Sequence, residues 1–131
     1  VPHDDLLLSW RYERRAALSK LGWTLAFAGL RRAARTRLRG TSLRVADRVY
    51  GVLQTGHMDE AYVLRLLRHL AERRERIRLA ELYFHPSLTS LGEDLGPNPG
   101  DLATLLSPRV RQFLVANDLR LTSYGGMRVW P

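Results

Sequence analysis

The stretch from Tyr50 to Ser87, YGVLQTGHMDEAYVLRLLRHLAERRERIRLAELYFHPS, constrains the fold more than any other part of the chain. It reads as a strand, a glycine turn, a helix, and a second strand that ends in a histidine followed by proline. Helical spacing is clearest between, where Val63, Leu64, Leu67, Leu70 and Ala71 recur on one side while Arg65, Arg68, His69 and Glu72 point elsewhere. Asp59 and Glu60 occupy the first turn, where negative charge suits the helix dipole. The helix is expected to end near Arg74. A strand–helix–strand order of this kind calls for an α/β layout with a parallel sheet.

The flanking segments are read more coarsely. Val1 to Ser9 reads as a loop with Ser9 as N-cap, and Trp10 to about Arg39 as helical, with Gly22 a candidate break and Gly40–Thr41 the stop. Ser42–Ala46 and Tyr50–Leu53 read as short extended pieces, with Thr55–Gly56 a turn. Ile77–Phe84 is the second strand of the central unit, stopped by Pro86. Ser87–Gly100 is a Gly- and Pro-rich loop. Leu102–Leu106 begins a short helix, and Pro108 opens another that runs to about Asn117 with Val110, Phe113 and Leu114 on one face. Leu119–Ser123 is a last strand candidate. These strands are too few to close a barrel, which takes about 250 residues. The 131 residues are therefore either a small helix-rich α/β domain or part of a larger one.

Composition narrows the chemistry. With no cysteine, disulfides, thiolate nucleophiles and zinc–thiolate sites are all excluded. The net charge is +8, carried almost wholly by arginine because Lys20 is the only lysine. Such a charge points either to polyanions, including nucleic acid and anionic membrane, or simply to solvated helix faces. A basic nucleic-acid-binding or non-catalytic interaction domain is accordingly the alternative to an enzyme. No signal-peptide pattern is visible, and a cytoplasmic location, peripheral to the inner membrane, is expected. The apolar run Leu21–Leu30 is shorter than the about 20 residues that span a bilayer. It gives way to Arg31, Arg32, Arg35, Arg37 and Arg39.

His85 leads the candidate site residues, because polar residues at the carboxyl ends of parallel strands line the ligand crevice. Its imidazole can exchange a proton near neutral pH; the plainer reading is a histidine that bonds a loop and caps the strand. Gly51, Gly56 and His57 form a glycine-bearing loop before a helix, suited either to backbone approach by a ligand or to turn chemistry alone. The loop lacks the Lys-Ser/Thr of a phosphate-binding loop. Asp4 and Asp5 adjoin His3, but neighbouring side chains in an extended segment diverge and do not readily chelate one ion. Glu81 lies in the strand, placed to pair with an arginine. No catalytic triad order, metalloprotease helix motif or dinucleotide fingerprint is present.

Four blocks in order, VPHDDLL, DRVYGVLQTGHMDE, ELYFHPS and DLATLLSPRVRQFLVANDLRLTSYG, give the chain a wider likeness. It resembles the C-terminal half of the YdjC-like carbohydrate deacetylases, nearest the branch associated with hopanoid biosynthesis. The resemblance implies a helix-rich C-terminal part of a (β/α) barrel-like fold, an incomplete barrel, that removes N-acetyl groups from amino sugars. It implies an amino-sugar or glycolipid substrate, such as an N-acetylglucosaminyl hopanoid, and a divalent metal, Mg or Zn, that activates water. The family's metal-binding A-D-D-F-G and H-x-H motifs do not occur here. His85 matches the histidine of its H-P-G motif, the proton donor to the leaving amine, with Ser87 in place of glycine. Asp4 falls where glutamate is usual, and Gly51 and Gly56 match the substrate-side loop. A chain with the acid but not the metal ligands is expected to be inactive alone, and to self-associate through its exposed sheet edge.

Overall fold

A computed structural model describes residues 3–12, 17–41, 45–90, 92 and 96–123. Its elements are α1 (His3–Tyr12), α2 (Ala17–Leu38), β1 (Arg48–Tyr50), a single 3-10 turn (Val52–Gln54), α3 (Glu60–Glu72), β2 (Ala80–Leu82), α4 (Pro99–Leu105) and α5 (Pro108–Ala116). β1 and β2 pair in parallel, with Arg48 opposite Ala80, Val49 opposite Glu81 and Tyr50 opposite Leu82. α3 is the crossover, so the centre is one βαβ unit. This is a helix-rich α/β arrangement with a two-stranded sheet. No barrel is formed among the described residues.

α3 begins where Asp59 accepts a hydrogen bond from the Tyr62 amide, capping the first turn. Its buried face is Tyr62, Val63, Leu66, Leu67 and Leu70, rotated slightly from the expected Val63–Leu64–Leu67–Leu70–Ala71 stripe because both Leu64 and Ala71 are half-buried. These residues pack with Leu8, Tyr50, Met58 and Ile77 in the main core. Ala80, Leu82 and Phe84 from the second strand, and Val110, Phe113 and Leu114 from α5, close over it. Glu60 joins the α3 start to the α4–α5 junction. It accepts from the Ser107 hydroxyl at 2.5 Å and from Arg109 at 2.6 Å.

The second strand is shorter than the expected Ile77–Phe84, and the first lies earlier than the expected Tyr50–Leu53, sharing only Tyr50 with it. Asp47 is the cause for β2, since its carboxylate accepts from the amides of Arg78 (2.9 Å) and Leu79 (3.0 Å) and holds them out of the ladder until Ala80. β1 stops at Tyr50 because Gly51 turns to φ +92°, a left-handed conformation, and Val52–Gln54 coil into the 3-10 turn. The expected strand at Leu119–Ser123 is absent. The residues instead leave α5 through a Schellman motif. Asp118 sits at φ +50°, its amide donates to the Val115 carbonyl, and the Leu119 amide donates to the Leu114 carbonyl. Leu119 then packs on the core, and Arg120–Ser123 run on exposed, with no ladder partner among the described residues.

At the amino end, the expected Val1–Ser9 loop is helix α1 from His3 onward, its first two residues lying outside the described ones. Ser9 is not a cap but a fully buried residue near its last turn. Its hydroxyl donates to Gln54 Oε1 at 2.7 Å, and Lys20 Nζ donates to both Ser9 Oγ (2.7 Å) and Gln54 Oε1 (3.2 Å). The single lysine of the chain thus joins α1, α2 and the 3-10 turn. Tyr12 completes the docking, its hydroxyl bonded to the Asp59 carboxylate and its ring edge-on to Tyr62. Gly22 does not break α2; an isolated helical glycine costs only about 1 kcal/mol, and nothing here requires a turn. Gly40, at φ +84°, does end it. The extended piece expected at Ser42–Ala46 falls mostly outside the described residues.

Two glycines make a controlled comparison. A Cβ on Gly51 would stand 2.5 Å from the Tyr83 carbonyl oxygen and 3.0 Å from Met58, in a conformation L-residues avoid, whereas one on Gly22 meets nothing. Gly51→Ala should destabilise the fold by at least ~2 kcal/mol. Gly22→Ala should stabilise it by up to ~1 kcal/mol. Urea unfolding of the two variants checks both signs.

Candidate functional site

Alternation along the second strand sorts its residues. Ala80, Leu82 and Phe84 turn to the helices and the core. Glu81, Tyr83 and His85 therefore project from the other face of the sheet, a carboxylate, a phenol and an imidazole two residues apart in turn. The chain stays extended beyond β2. The Tyr83 amide donates to the Tyr50 carbonyl at 2.9 Å, and the shared side of residues 83 and 85 shows directly in their rings. The Tyr83 and His85 centroids are 4.7 Å apart at an interplanar angle of 86°, an edge-to-face pair. Tyr83 is exposed and His85 half-buried, so the imidazole is held but accessible.

Pro86 was expected to stop pairing, yet it forms an isolated parallel bridge with Asn98. The reason is that in this bridge the bonding groups belong to its neighbours. The His85 carbonyl accepts from the Asn98 amide (2.9 Å), and the Ser87 amide donates to the Asn98 carbonyl (3.1 Å). A proline fits because its missing N–H is not called on. His85 consequently sits just past the carboxyl end of β2 with its backbone fixed on the C-terminal side.

The amino side of the same residue is fixed by Asp101, which the sequence reading did not single out. Its side chain is 1 % exposed. Oδ2 accepts from the His85 amide at 2.8 Å, and Oδ1 accepts from the Met58 amide at 3.2 Å. One carboxylate thereby joins the loop after β1 to the end of β2. Asp101 is itself placed by the start of α4, where Asn98 caps the helix by accepting the Asp101 amide at 2.8 Å and Pro99 takes the first helical position. The signal was present in N-P-G-D: a cap residue, a proline and an acid three positions after the cap. In a capping box that acid turns back to the cap's own amide. Here the Asn98 amide is already taken by the His85 carbonyl, so the acid is free to reach two other strands of the site.

The remaining expected site residues are placed as follows. Gly51 is buried at the end of β1 with its Cα against the Tyr83 carbonyl and the Met58 side chain, so close packing already accounts for a glycine there. Gly56, at φ +78°, forms the turn before the exposed His57. The loop Gly51–Met58 and the strand end Tyr83–His85 are therefore adjacent, as the shared bonds of Gly51, Met58 and Asp101 require. Asp4 stands in the first turn of α1, its side chain outside the described residues. Among the described residues no three His, Asp or Glu side chains stand close enough to hold a metal ion, so the metal expected of such chemistry does not fit the groups present here. A cleft of about 610 Å³ runs between α3 and the end of α5, lined by Arg68, Glu72, Arg74, Val115 and Asn117. It is wide open, away from His85, and carries no histidine.

Replacing Asp101 with alanine should free two amides at once. The variant is expected to lose roughly 2–6 kcal/mol, because buried N–H groups left without acceptors cost about 1–3 kcal/mol each. Hydrogen exchange should quicken first at His85 and Met58, while the α3 amides keep their protection relative to the global stability.

A family model described as YdjC-like protein matches residues 2–116, which includes the βαβ unit, the His85 strand end and the Asp101 helix. Neither a curated protein nor a solved structure matches the chain. Covering most of its length, the family match shows that this chain belongs to the YdjC-like family, whose members are generally carbohydrate deacetylases and typically depend on a metal.

Proposed function

We propose that this chain supplies the proton-donating side of a metal-dependent deacetylase acting on N-acetylated amino sugars, with His85 as the general acid. The observation that carries the reading is the presentation of His85. It lies at the carboxyl end of a parallel strand, on the face turned away from the helices, with its ring against Tyr83 and its backbone bonded on both sides. That is the position from which side chains of α/β enzymes meet their ligands.

In amide cleavage the departing amine must gain a proton as the C–N bond breaks, and a fixed imidazolium can give it. The His85 amide donating to Asp101 and the Asn98 amide donating to the His85 carbonyl restrict the backbone, and Tyr83 packs against the ring. The donor nitrogen is thus held in a narrow range of directions without a carboxylate clamped to the imidazole. Tyr83 offers a flat, exposed surface beside the acid on which the apolar face of a pyranose can rest. Gly51 and Gly56 shape the neighbouring loop and Asp4 contributes from the amino end, as their match to the substrate-side positions of the family suggests. Activation of the attacking water would be the chemistry of a metal held by residues other than the described ones. The described residues do not assemble its site, and the 131 residues alone are proposed to lack turnover. Likeness of the four sequence blocks to the hopanoid-associated branch supports an N-acetylglucosaminyl lipid as substrate.

Two measurements test this. With the metal site supplied, His85→Gln should lower kcat for a chitooligosaccharide by about 100-fold or more with little change in KM. Unchanged turnover would exclude His85 as the acid. Separately, the 131-residue chain with added Zn or Mg should release no acetate, and turnover there would place a complete metal site within it.

A further inference from the structure

Helix α2 is thinly covered: of its described side chains only Thr24 is buried. It packs on α1 through Lys20 and the buried Thr24, whose hydroxyl is tied back to the Lys20 carbonyl. Its other sides carry large apolar groups in the open: Leu18 is 86 % exposed, Trp23 59 %, Leu25 63 % and Leu30 64 %. The Trp23 ring stacks on Phe27 with centroids 5.8 Å apart. Beside it, α1 leaves Leu7 and Trp10 exposed, so two of the chain's three tryptophans stand on this one hairpin. Isolated exposed leucines need no explanation, but a run of this density marks a contact surface.

The charge on the same helix identifies the contact. Between Ala17 and Leu38 there are five cations, Lys20, Arg31, Arg32, Arg35 and Arg37, and no carboxylate. Arg39 follows directly. The apolar groups occupy the first half and the arginines the second, where Arg32, Arg37 and Arg39 are exposed. From this combination we infer that the α1–α2 hairpin docks on an anionic lipid bilayer, with the Leu18–Leu30 stretch in the headgroup–acyl boundary and the arginines on lipid phosphates.

Other occupants satisfy only half of the surface. A second copy of this chain would bring its own five cations and no acid against the first, within molecules of net charge +8. A nucleic acid would neutralise the arginines and leave Leu18, Trp23, Leu25 and Leu30 in water. A bilayer of anionic lipid takes up both. The helix lies on the surface instead of crossing it: Leu18 to Leu30 rises only about 18 Å along the axis, against a hydrocarbon core of about 30 Å. Among the described residues no helix is long and apolar enough to cross a membrane.

The test is co-sedimentation of the whole chain with phosphatidylcholine vesicles, with and without about 30 % phosphatidylglycerol, at low and at about 0.5 M salt. Binding should be at least about tenfold tighter to the anionic vesicles and should weaken with salt. Leu25→Glu with Leu30→Glu, and Arg31→Glu with Arg32→Glu and Arg37→Glu, should each reduce it at least about tenfold with helix content and α3 protection unchanged. In a Trp10→Phe, Trp130→Phe background, Trp23 emission should move to the blue on binding. Equal binding to neutral vesicles, binding indifferent to the leucine pair, or none at low salt would overturn the inference. So would a stable dimer abolished by the leucine pair, or duplex DNA binding stronger than vesicle binding. None of these readouts involves turnover, so the inference stands or falls apart from the role of His85.

Discussion

Two amide hydrogen bonds to one buried carboxylate hold the site together. Besides Asp101, the loop after β1 and the strand end after β2 are joined by a three-residue ladder, by the bond from the Tyr83 amide to the Tyr50 carbonyl and by the packing of Gly51 on Tyr83. A carboxylate suits the task because it offers two oxygens, each able to accept, at a fixed separation. It also stands on the first turn of α4, where the helix's own unbonded amides favour negative charge. The placement of His85 is thus settled by a residue sixteen positions away in sequence, on a different element.

The βαβ centre was readable because each part of it states its identity locally. Asp59 and Glu60 announce a helix start, the apolar spacing from Val63 to Ala71 gives its buried side to within a slight rotation, and Pro108 marks a further start, whereas α4 begins at Pro99, inside what reads as a loop to Gly100. The errors share one physical origin, competition from distant partners that local spacing does not contain. Ser9 reads as a cap because serine favours that position, yet it is drawn into α1 by Gln54 and Lys20. Residues 78 and 79 have strand character, yet a side chain from Asp47 takes their amides. Leu119–Ser123 has the alternation of a strand, but it leaves α5 through the turn at Asp118 and meets no ladder partner among the described residues.

Of the site, the strand-end histidine was legible from its position before proline, and Gly51 from its type. The geometric reason for Gly51 was not legible, because it lies in the Tyr83 carbonyl, which only the parallel pairing brings near. Tyr83 shows the same limit from the other direction. In the sequence it is one more β-former among Leu82 and Phe84, and only the face it shares with His85 separates it from them.

The bridge between Pro86 and Asn98 has a consequence for how this scaffold can vary. The segment between them is held at both ends, so its length is decoupled from the imidazole that precedes it. Closing a longer loop over fixed ends costs only slowly more entropy, about 0.6 kcal/mol for each doubling. Relatives can therefore lengthen, shorten or rewrite the segment between these two anchors while the imidazole keeps its aim.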